Sequence, residues 1–541
     1  MSGSVRILVL TVAAVGFLFD TYELLMFPVI GTDAVAELHL QKTSAQLTTD
    51  EQKIVGQWAG RMLWIAALCG GVFGLIGGLL IDRFGRKTVM VASILIYSFS
   101  PVLAAYSTSL WMLVLFRCTT FIGVCVEMVA AVTWLAELFE NKRHRELAIG
   151  WTLAAASLGG IFVTEVKLLL DGFVKSNPDF VLNSYLPLGI IKENVSWRYT
   201  LLTGLIPGAI ILLLMPFVPE SKVWKDKKLA GTLTRPSLGE LFKPGLIGTT
   251  LVTTLLSACG YAAAFGALQL TPLRIVEGTP AIAPKLAEGR KSLATAEKAF
   301  FDADQAYRKA FQAFMSGGIP DNPGTPAVKA ESTPEQKVAK EASDNALAAM
   351  KKAEADYAAA KKAFGPVSAE LRQYRGDIQR WQEIGGLCGR ILLAVLLIFI
   401  PSKTLLRLFL IPGIVLLPVT YYVLQPGEYV WFATAIFFCG LLTVAQFSYL
   451  SEFLPKVFPL HLRGTGGGFA TNVGGRMLGT MAATLNTEWL STFFAGSSAR
   501  QIAIAAAIIG GSVYLIAFLA SFFLPAPVHE PHTAPAKAAG A

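Results

Sequence analysis

Gly78-Leu79-Leu80-Ile81-Asp82-Arg83-Phe84-Gly85-Arg86-Lys87 decides how this chain is read. It is a short charged turn set directly between two apolar stretches, 56–81 and 88–110. Each stretch is long enough to cross a bilayer. A turn of this composition between two spans belongs on the cytoplasmic side, where Lys and Arg next to span ends are retained. Asp82 can pair with a cation on a neighbouring span, and Gly85 lets the chain reverse without a Cβ clash. A plain topology signal is the simpler alternative.

Composition points the same way. The 541 residues are 54% hydrophobic and 15% charged, against about 25% charged in soluble domains. The net charge of +9 sits mostly in short loops beside apolar runs, so topology explains it and nucleic acid is not an expected partner. Cys69, Cys118, Cys125, Cys259, Cys388 and Cys439 all fall in apolar stretches without a CxxC partner, which argues against a disulfide framework or a metal site. The apolar run after Arg6 reaches Ile30 without a convincing cleavage site, and reads as a retained first span.

Walking outward gives twelve expected spans: 5–31, 56–81, 88–108, 110–138, 146–171, 198–218, 246–272, 384–401, 406–424, 428–453, 464–490 and 502–524. With both termini in the cytoplasm, the inner loops collect Arg83, Arg86 and Lys87; Lys142, Arg143 and Arg145; Lys222, Lys225, Lys227 and Lys228; Lys403 and Arg407; Lys456 and Arg463. The short outer loops are poorer in cations, as the topology rule requires. The expected organisation is therefore an N-terminal half (1–218), a cytoplasmic linker (219–245), a seventh span (246–272), an insertion (273–383), five further spans (384–524) and a tail (525–541) in a multi-pass protein of the plasma, or bacterial inner, membrane.

The turn around Asp82, with Gly78, Arg83, Gly85 and Arg86, resembles the signature loop between spans 2 and 3 of the major facilitator superfamily of secondary transporters. Two further runs carry the likeness. Arg117-x5-Gly123-x3-Glu127 followed by Ala136-Glu137-Leu138-Phe139 and Lys142-Arg143-His144-Arg145 is similar to the span 4 pattern of its sugar-porter and metabolite-symporter branches, with Cys125 in place of a glycine. Glu452-Phe453-Leu454-Pro455, Arg463-Gly464-Thr465-Gly466 and Gly474-Gly475-Arg476 resemble the run linking spans 10 and 11. Pro219-Glu220-Ser221 resembles the ending of span 6 in those branches, with Lys222-Val223 where Pro-Arg is usual. The resemblance implies an all-α integral membrane protein of twelve transmembrane helices in two six-helix halves. It also implies a gating role for Gly78, Asp82, Arg83, Gly85, Arg86, Glu127, Glu137, Arg143, Glu452, Arg463 and Arg476. The loop after span 8 reads Pro401-Ser402-Lys403-Thr404 without an acid, so the gating charges are expected mainly in the first half.

The insertion lies outside the resemblance. Leu286, Leu293, Phe300, Tyr307 and Phe314 recur every seven residues, as do Met350, Tyr357, Phe364, Leu371 and Ile378. These seams predict two helices packed as a coiled-coil-like antiparallel hairpin outside the membrane. A Gly/Pro-rich turn joins them over 316–334. Small residues such as Ala353 and Ala360 are expected opposite Phe300 and Tyr307, and Gly365-Pro366 should kink or break the second arm. A disordered Ala/Lys linker is the alternative. The segment 282–383 could dock an extracytoplasmic protein partner or shield the outer mouth.

Chemistry is sought among charges within spans, where each costs a few kcal/mol. Asp20 and Glu23 stand one turn apart and are the proton-coupling candidates: a carboxyl beside a cavity stays protonated when dry and ionises when water enters. A structural pairing with Arg61 or Arg117 is the competing role. Arg117, Arg390, Gln446 and Asn472 are the substrate-binding candidates, the arginines suited to a carboxylate and the amides to hydroxyls. No phosphate-binding loop, metal spacing or nucleophile–base pair is present, so no cofactor, metal or enzymatic role is expected. The function these features imply is secondary active transport of a small polar metabolite, a sugar or organic acid, by alternating access with proton coupling. The alternatives are an exporter of hydrophobic compounds, or a transporter-like scaffold that recruits a partner.

Overall fold

The computed structural model describes residues 3–42, 44, 47–138, 142–177, 180, 195–217, 219–230, 237–316, 334–459 and 462–526. All regular structure among them is helical. The first half contains α1 (Gly3–Leu40), α2 (Thr49–Phe84), α3 (Arg86–Ala105), α4 (Leu110–Leu138) and α5 (Lys142–Ser176). A broken sixth span follows, made of α6 (Ser196–Leu202) and α7 (Leu205–Leu214), and then a linker helix, α8 (Lys222–Leu229). The second half contains α9 (Ile247–Ala263), α10 (Leu270–Leu273), α11 (Ala283–Ser316), α12 (Pro334–Leu396), α13 (Ser402–Pro418) and α14 (Tyr429–Val457). It ends with α15 (Arg463–Phe469), α16 (Met481–Thr484) and α17 (Ser498–Ala520).

Nine helical stretches among the described residues are long and apolar enough to cross a membrane. The three other expected spans are helical in different ways. Residues 146–171 lie within α5, 384–396 form the end of α12, and 464–490 run through α15, α16 and the π-helical turns Ala470–Gly479 and Leu485–Trp489.

Local chemistry sets the element ends. A capping box opens α2: the Glu51 amide donates to Thr48 Oγ1 (3.4 Å) and the Thr48 amide to Glu51 Oε2 (2.8 Å). Gly85 ends α2 at φ +99°, and a Cβ there would lie 2.6 Å from Glu220 Oε2, so the turn requires glycine. Glu220 in turn accepts from the Lys87 amide at 3.1 Å and so caps α3 from the linker. Trp134 Nε1 donates to the Pro219 carbonyl (3.2 Å) and pins the same segment.

The two halves meet through α5 and α12, and through α2 and the π-helical turn 470–479. Glycines permit the closest packing within the second half. A Cβ on Gly385 or Gly389 would sit 1.9 or 2.1 Å from the Phe437 or Leu441 carbonyl of α14.

The hairpin differs from its sequence expectation in two respects. α12 is one helix from Pro334 to Leu396, continuous through Gly365-Pro366 and into the expected span 384–401. The turn lost at proline is held by packing on both sides: Phe364 is buried against Gly289 of α11, and Leu371 and Ile378 are buried below it. Rings also face rings rather than alanines, with Phe300 stacked on Tyr357 at 6.1 Å. Seven-residue spacing fixes each seam but not the register between them. The joining residues 317–333 and the tail 527–541 lie outside the described residues.

We expect Gly389→Leu to cost about 1–3 kcal/mol through overpacking, read as a lower melting temperature. Gly365→Ala, with nothing within 4 Å of the new Cβ, should leave it unchanged or raise it slightly.

Candidate functional site

A cavity of about 190 Å³ lies between the halves. The first half contributes Phe17, Asp20, Leu24 and Leu25 from α1, with Met128 of α4 and Ser157 of α5. The second half contributes Tyr261, Phe265 and Gln269, then Gln382, Glu383 and Arg390 from α12, with Phe447 and Ser448 of α14 and Arg476. One wall is aromatic: Tyr261 stacks on Phe265 (5.9 Å) and meets Phe447 edge-on (4.9 Å).

Asp20 and Glu127 form the first charged group. Both are buried, and the two carboxyl groups lie close enough to share a proton between α1 and α4. A Cβ on Gly16 would lie 2.8 Å from Glu127 Oε1, which is what lets α4 approach. Arg476 faces Asp20 from the other half. Its Nη1 donates to Asn472 Oδ1 (2.6 Å) and its Nη2 points at Met128 Sδ (3.3 Å), while Nε has no acceptor. The second charged group is Glu383, which accepts from Gln379 (2.8 Å) and Gln382 (3.1 Å) and faces Arg390. Glu383 presses on Gly160 of α5, where a Cβ would come within 2.4 Å of Oε2.

The sequence candidates divide accordingly. Asp20 and Arg390 line the cavity. Glu23 does not; it is fully buried towards Gly204, and Arg117 Nη1 donates to its carbonyl (3.1 Å) rather than to its carboxylate. Arg117 stacks over Phe27 (5.6 Å) and Phe121 (5.2 Å), away from the cavity lining. Asn472 orients Arg476 and packs on Gly74 of α2. Gln446 lies beside Tyr514. Of the gating candidates, Gly85 forms the turn, Arg86 is buried with Nη1 on the Ile81 carbonyl (3.2 Å), and Arg83 lies over Phe84 (5.4 Å). The surroundings of Gly78 and the side chains of Asp82, Glu137, Arg143, Glu452 and Arg463 lie outside what the structure describes. Sequence reasoning missed Glu383, taken as the last residue of the insertion, and left Arg476 between binding a carboxylate and packing helices; it lines the cavity.

A second charge layer closes the hairpin end. Lys167 of α5 binds Asp171 (2.7 Å) and lies 3.9 Å from Asp33 of α1. Arg375 of α12 lies 3.8 Å from Asp33 and 2.7 Å from Glu277. Arg274 and Arg290 also bind Glu277, at 2.9 and 3.0 Å. Burial alone would push the Glu277 carboxyl up, but Arg274, Arg290 and Arg375 outweigh it and hold it at about 2.

Against these geometries, comparison with known proteins settles the family. The sequence profile of the Major Facilitator Superfamily matches residues 12–287. The chain belongs to that superfamily. Among solved superfamily structures, the proton:xylose symporter XylE of E. coli is similar over 97% of both chains, with a TM-score of 0.58 at 15% identity. Among curated superfamily-like proteins, the sialic acid transporter NanX of Escherichia coli (strain K12) is 25% identical over 251 residues, 46% of this chain and 52% of that protein. The 4-hydroxybenzoate transporter PcaK of Pseudomonas aeruginosa (strain PAO1) is 32% identical over 159 residues, 29% of this chain and 30% of that one. The matched region thus spans about half or less of these curated relatives. Family membership and the apolar helices make this a multi-pass membrane protein.

A folded-state value of about 2 for Glu277, against 4.5 for the free group, means its ion pairs add stability above about pH 4.5 and lose it as pH falls towards about 2. The difference in melting temperature between the wild-type protein and Glu277→Gln should therefore be flat from about pH 5 to 8. It should shrink only under acid.

Proposed function

We propose that this protein is a proton-coupled secondary transporter of a small organic anion, working by alternating access. The observation that carries this reading is that Asp20, Glu383, Arg390 and Arg476 converge on one cavity between the halves. In this reading the chain crosses the membrane twelve times with both termini in the cytoplasm, and the α11–α12 hairpin then projects from the outer face.

Two carboxyls in contact, Asp20 and Glu127, need one proton between them. A second proton leaves the guanidinium of Arg476 without its facing acid, and a carboxylate from the substrate restores the charge balance. Proton and anion then enter the cavity together, because each charge compensates the other in a medium where neither is stable alone. Arg390 and Arg476 hold the carboxylate, and Gln269, Gln382, Ser157 and Ser448 offer hydrogen bonds to hydroxyls. Tyr261, Phe265 and Phe447 give a flat apolar wall. The cavity volume suits one six-membered ring or a short chain, since about 150 Å³ of apolar space already holds benzene. The superfamily relatives named above carry a sialic acid and a hydroxybenzoate, both carboxylates, whereas XylE carries the neutral xylose; the arginines favour the anion. The turn around Asp82 serves the cytoplasmic gate in this reading. Exposed Phe301 and Phe311 on α11 support a second reading, in which the hairpin also docks an extracytoplasmic protein.

A thermal-shift panel of sugars and organic acids identifies the ligand class, because a ligand bound only by the folded state raises the melting temperature. With a ligand so found, Asp20→Asn should abolish accumulation driven by a pH gradient in proteoliposomes while exchange without a gradient persists. Accumulation at the wild-type level would remove Asp20 from coupling.

A further inference from the structure

The insertion is not an appendage beside the transport machinery, because its base supplies the cations that hold the halves together at one end. Arg372, Arg375 and Arg380 stand on successive turns of α12, within the residues that the sequence sets apart as the insertion. Each faces an acid of the first half: Arg372 lies 3.9 Å from Asp171, Arg375 3.8 Å from Asp33, and Arg380 2.5 Å from Glu165. The first arm adds Glu297, 3.4 Å from Lys42. Arg61 of α2 and Glu488 of the second half form a further bridge at the same end.

These contacts fall into two kinds. The bridges from Arg372, Arg375, Arg380 and Glu297 cross between the halves, so any motion that opens this end must break them together. The bonds from Arg274, Arg290 and Arg375 to Glu277 lie wholly inside the second half and survive such a motion. Glu277 therefore keeps a block of three arginines assembled whether or not Asp33 is present. Several guanidinium nitrogens in the block, on Arg274, Arg290 and Arg375, have no acceptor, so the block carries more positive charge than its acid neutralises. Asp33 meets Arg375 of the block from across the interface, and Asp171 and Glu165 meet Arg372 and Arg380 on the same helix beside it. Gly376, between these arginines, sits against Leu168 of α5 and lets the helices approach closely enough for the pairs to form.

We propose that the base of the hairpin is the gate at that end of the cavity: a cationic block preassembled on Glu277 and flanked by Arg372 and Arg380 of α12, which closes by taking Asp33, Asp171 and Glu165 from the first half. Because α12 runs unbroken from the hairpin through Arg375 and Glu383 to Leu396, one rigid helix carries both the gate and the acid lining the cavity. Closing the gate and seating Glu383 against Gly160 are then a single movement. This rests on the alternating-access reading for its meaning, but its test needs no transported substrate.

Hydrogen–deuterium exchange of the full chain in lipid nanodiscs, at one fixed pH, tests the gate directly. Asp33→Asn, Arg375→Gln and Arg380→Gln should each raise exchange severalfold in peptides covering 160–177 and 369–381. The first two combined should raise exchange by less than the sum of their separate effects, since Asp33 and Arg375 share one pair. Protection should rise in the same variants at the far end, in 124–135 and 449–458, as that end closes. Arg308→Gln, which removes an exposed pair with Asp304 within the first arm of the hairpin, should change neither region. Wild-type exchange at the hairpin end in all three variants would overturn the gate. So would loosening at both ends together, which marks those pairs as ordinary scaffolding. Reciprocal exchange in a protein that takes up nothing would uphold the gate and count against the transport reading alone.

Discussion

A charge inside a lipid-embedded bundle persists only where another charge or a strong hydrogen-bonding group meets it, and this constraint organises the whole molecule. Two layers of buried charge lie where the halves meet. One borders the cavity, where Asp20, beside Glu127, faces Arg476 and where Glu383 faces Arg390. The other seals the hairpin end through Asp33, Asp171, Glu165 and the arginines of α12. The apolar helices between them pack through glycines, which leave the charged layers as the places where the halves can exchange partners.

The two layers differ in how their acids are satisfied. Glu277 is saturated by three guanidiniums and is therefore fixed in charge across the physiological pH range. The carboxyl oxygens of Asp20 and Glu127 have no hydrogen-bond donor among the described residues, and in the proposed reading the pair depends on a proton. On that reading, proton chemistry stays in the cavity and the hairpin end is left to pairing alone. The helix α12 joins the layers mechanically.

Much of this was legible in the residues. The turn from Gly78 to Lys87 and the apolar runs beside it gave the membrane class and the family, because bilayer thickness and positive-inside retention act on sequence directly. The heptad seams gave the paired arms of the insertion. Asp20 and Arg390 were found because charges in spans are rare. What escaped was rotation and register. The ten-residue π-helical stretch Ala470–Gly479 breaks the 3.6 period on which facing is judged, so spacing left Arg476 between a cavity and a packing role and did not pair it with Asp20. Glu23 was grouped with Asp20 by spacing, yet tertiary packing sends it towards Gly204 and Arg117. Glu383 sat at a boundary drawn where hydropathy rises, and the helix ignores that boundary. The opposition of Phe300 to Tyr357 depends on the register between two arms, which neither seam contains.

The account stands on a proton held between Asp20 and Glu127. Infrared difference spectroscopy of the protein in lipid, stepped from neutral to alkaline pH, observes such a proton as the carbonyl band of a protonated carboxyl group. The wild-type protein should lose one such band as pH rises. Asp20→Asn should lack that band while bands from other carboxyls remain. An unchanged set of bands in Asp20→Asn, or no titrating carboxyl band in the wild type, would contradict proton coupling at this site.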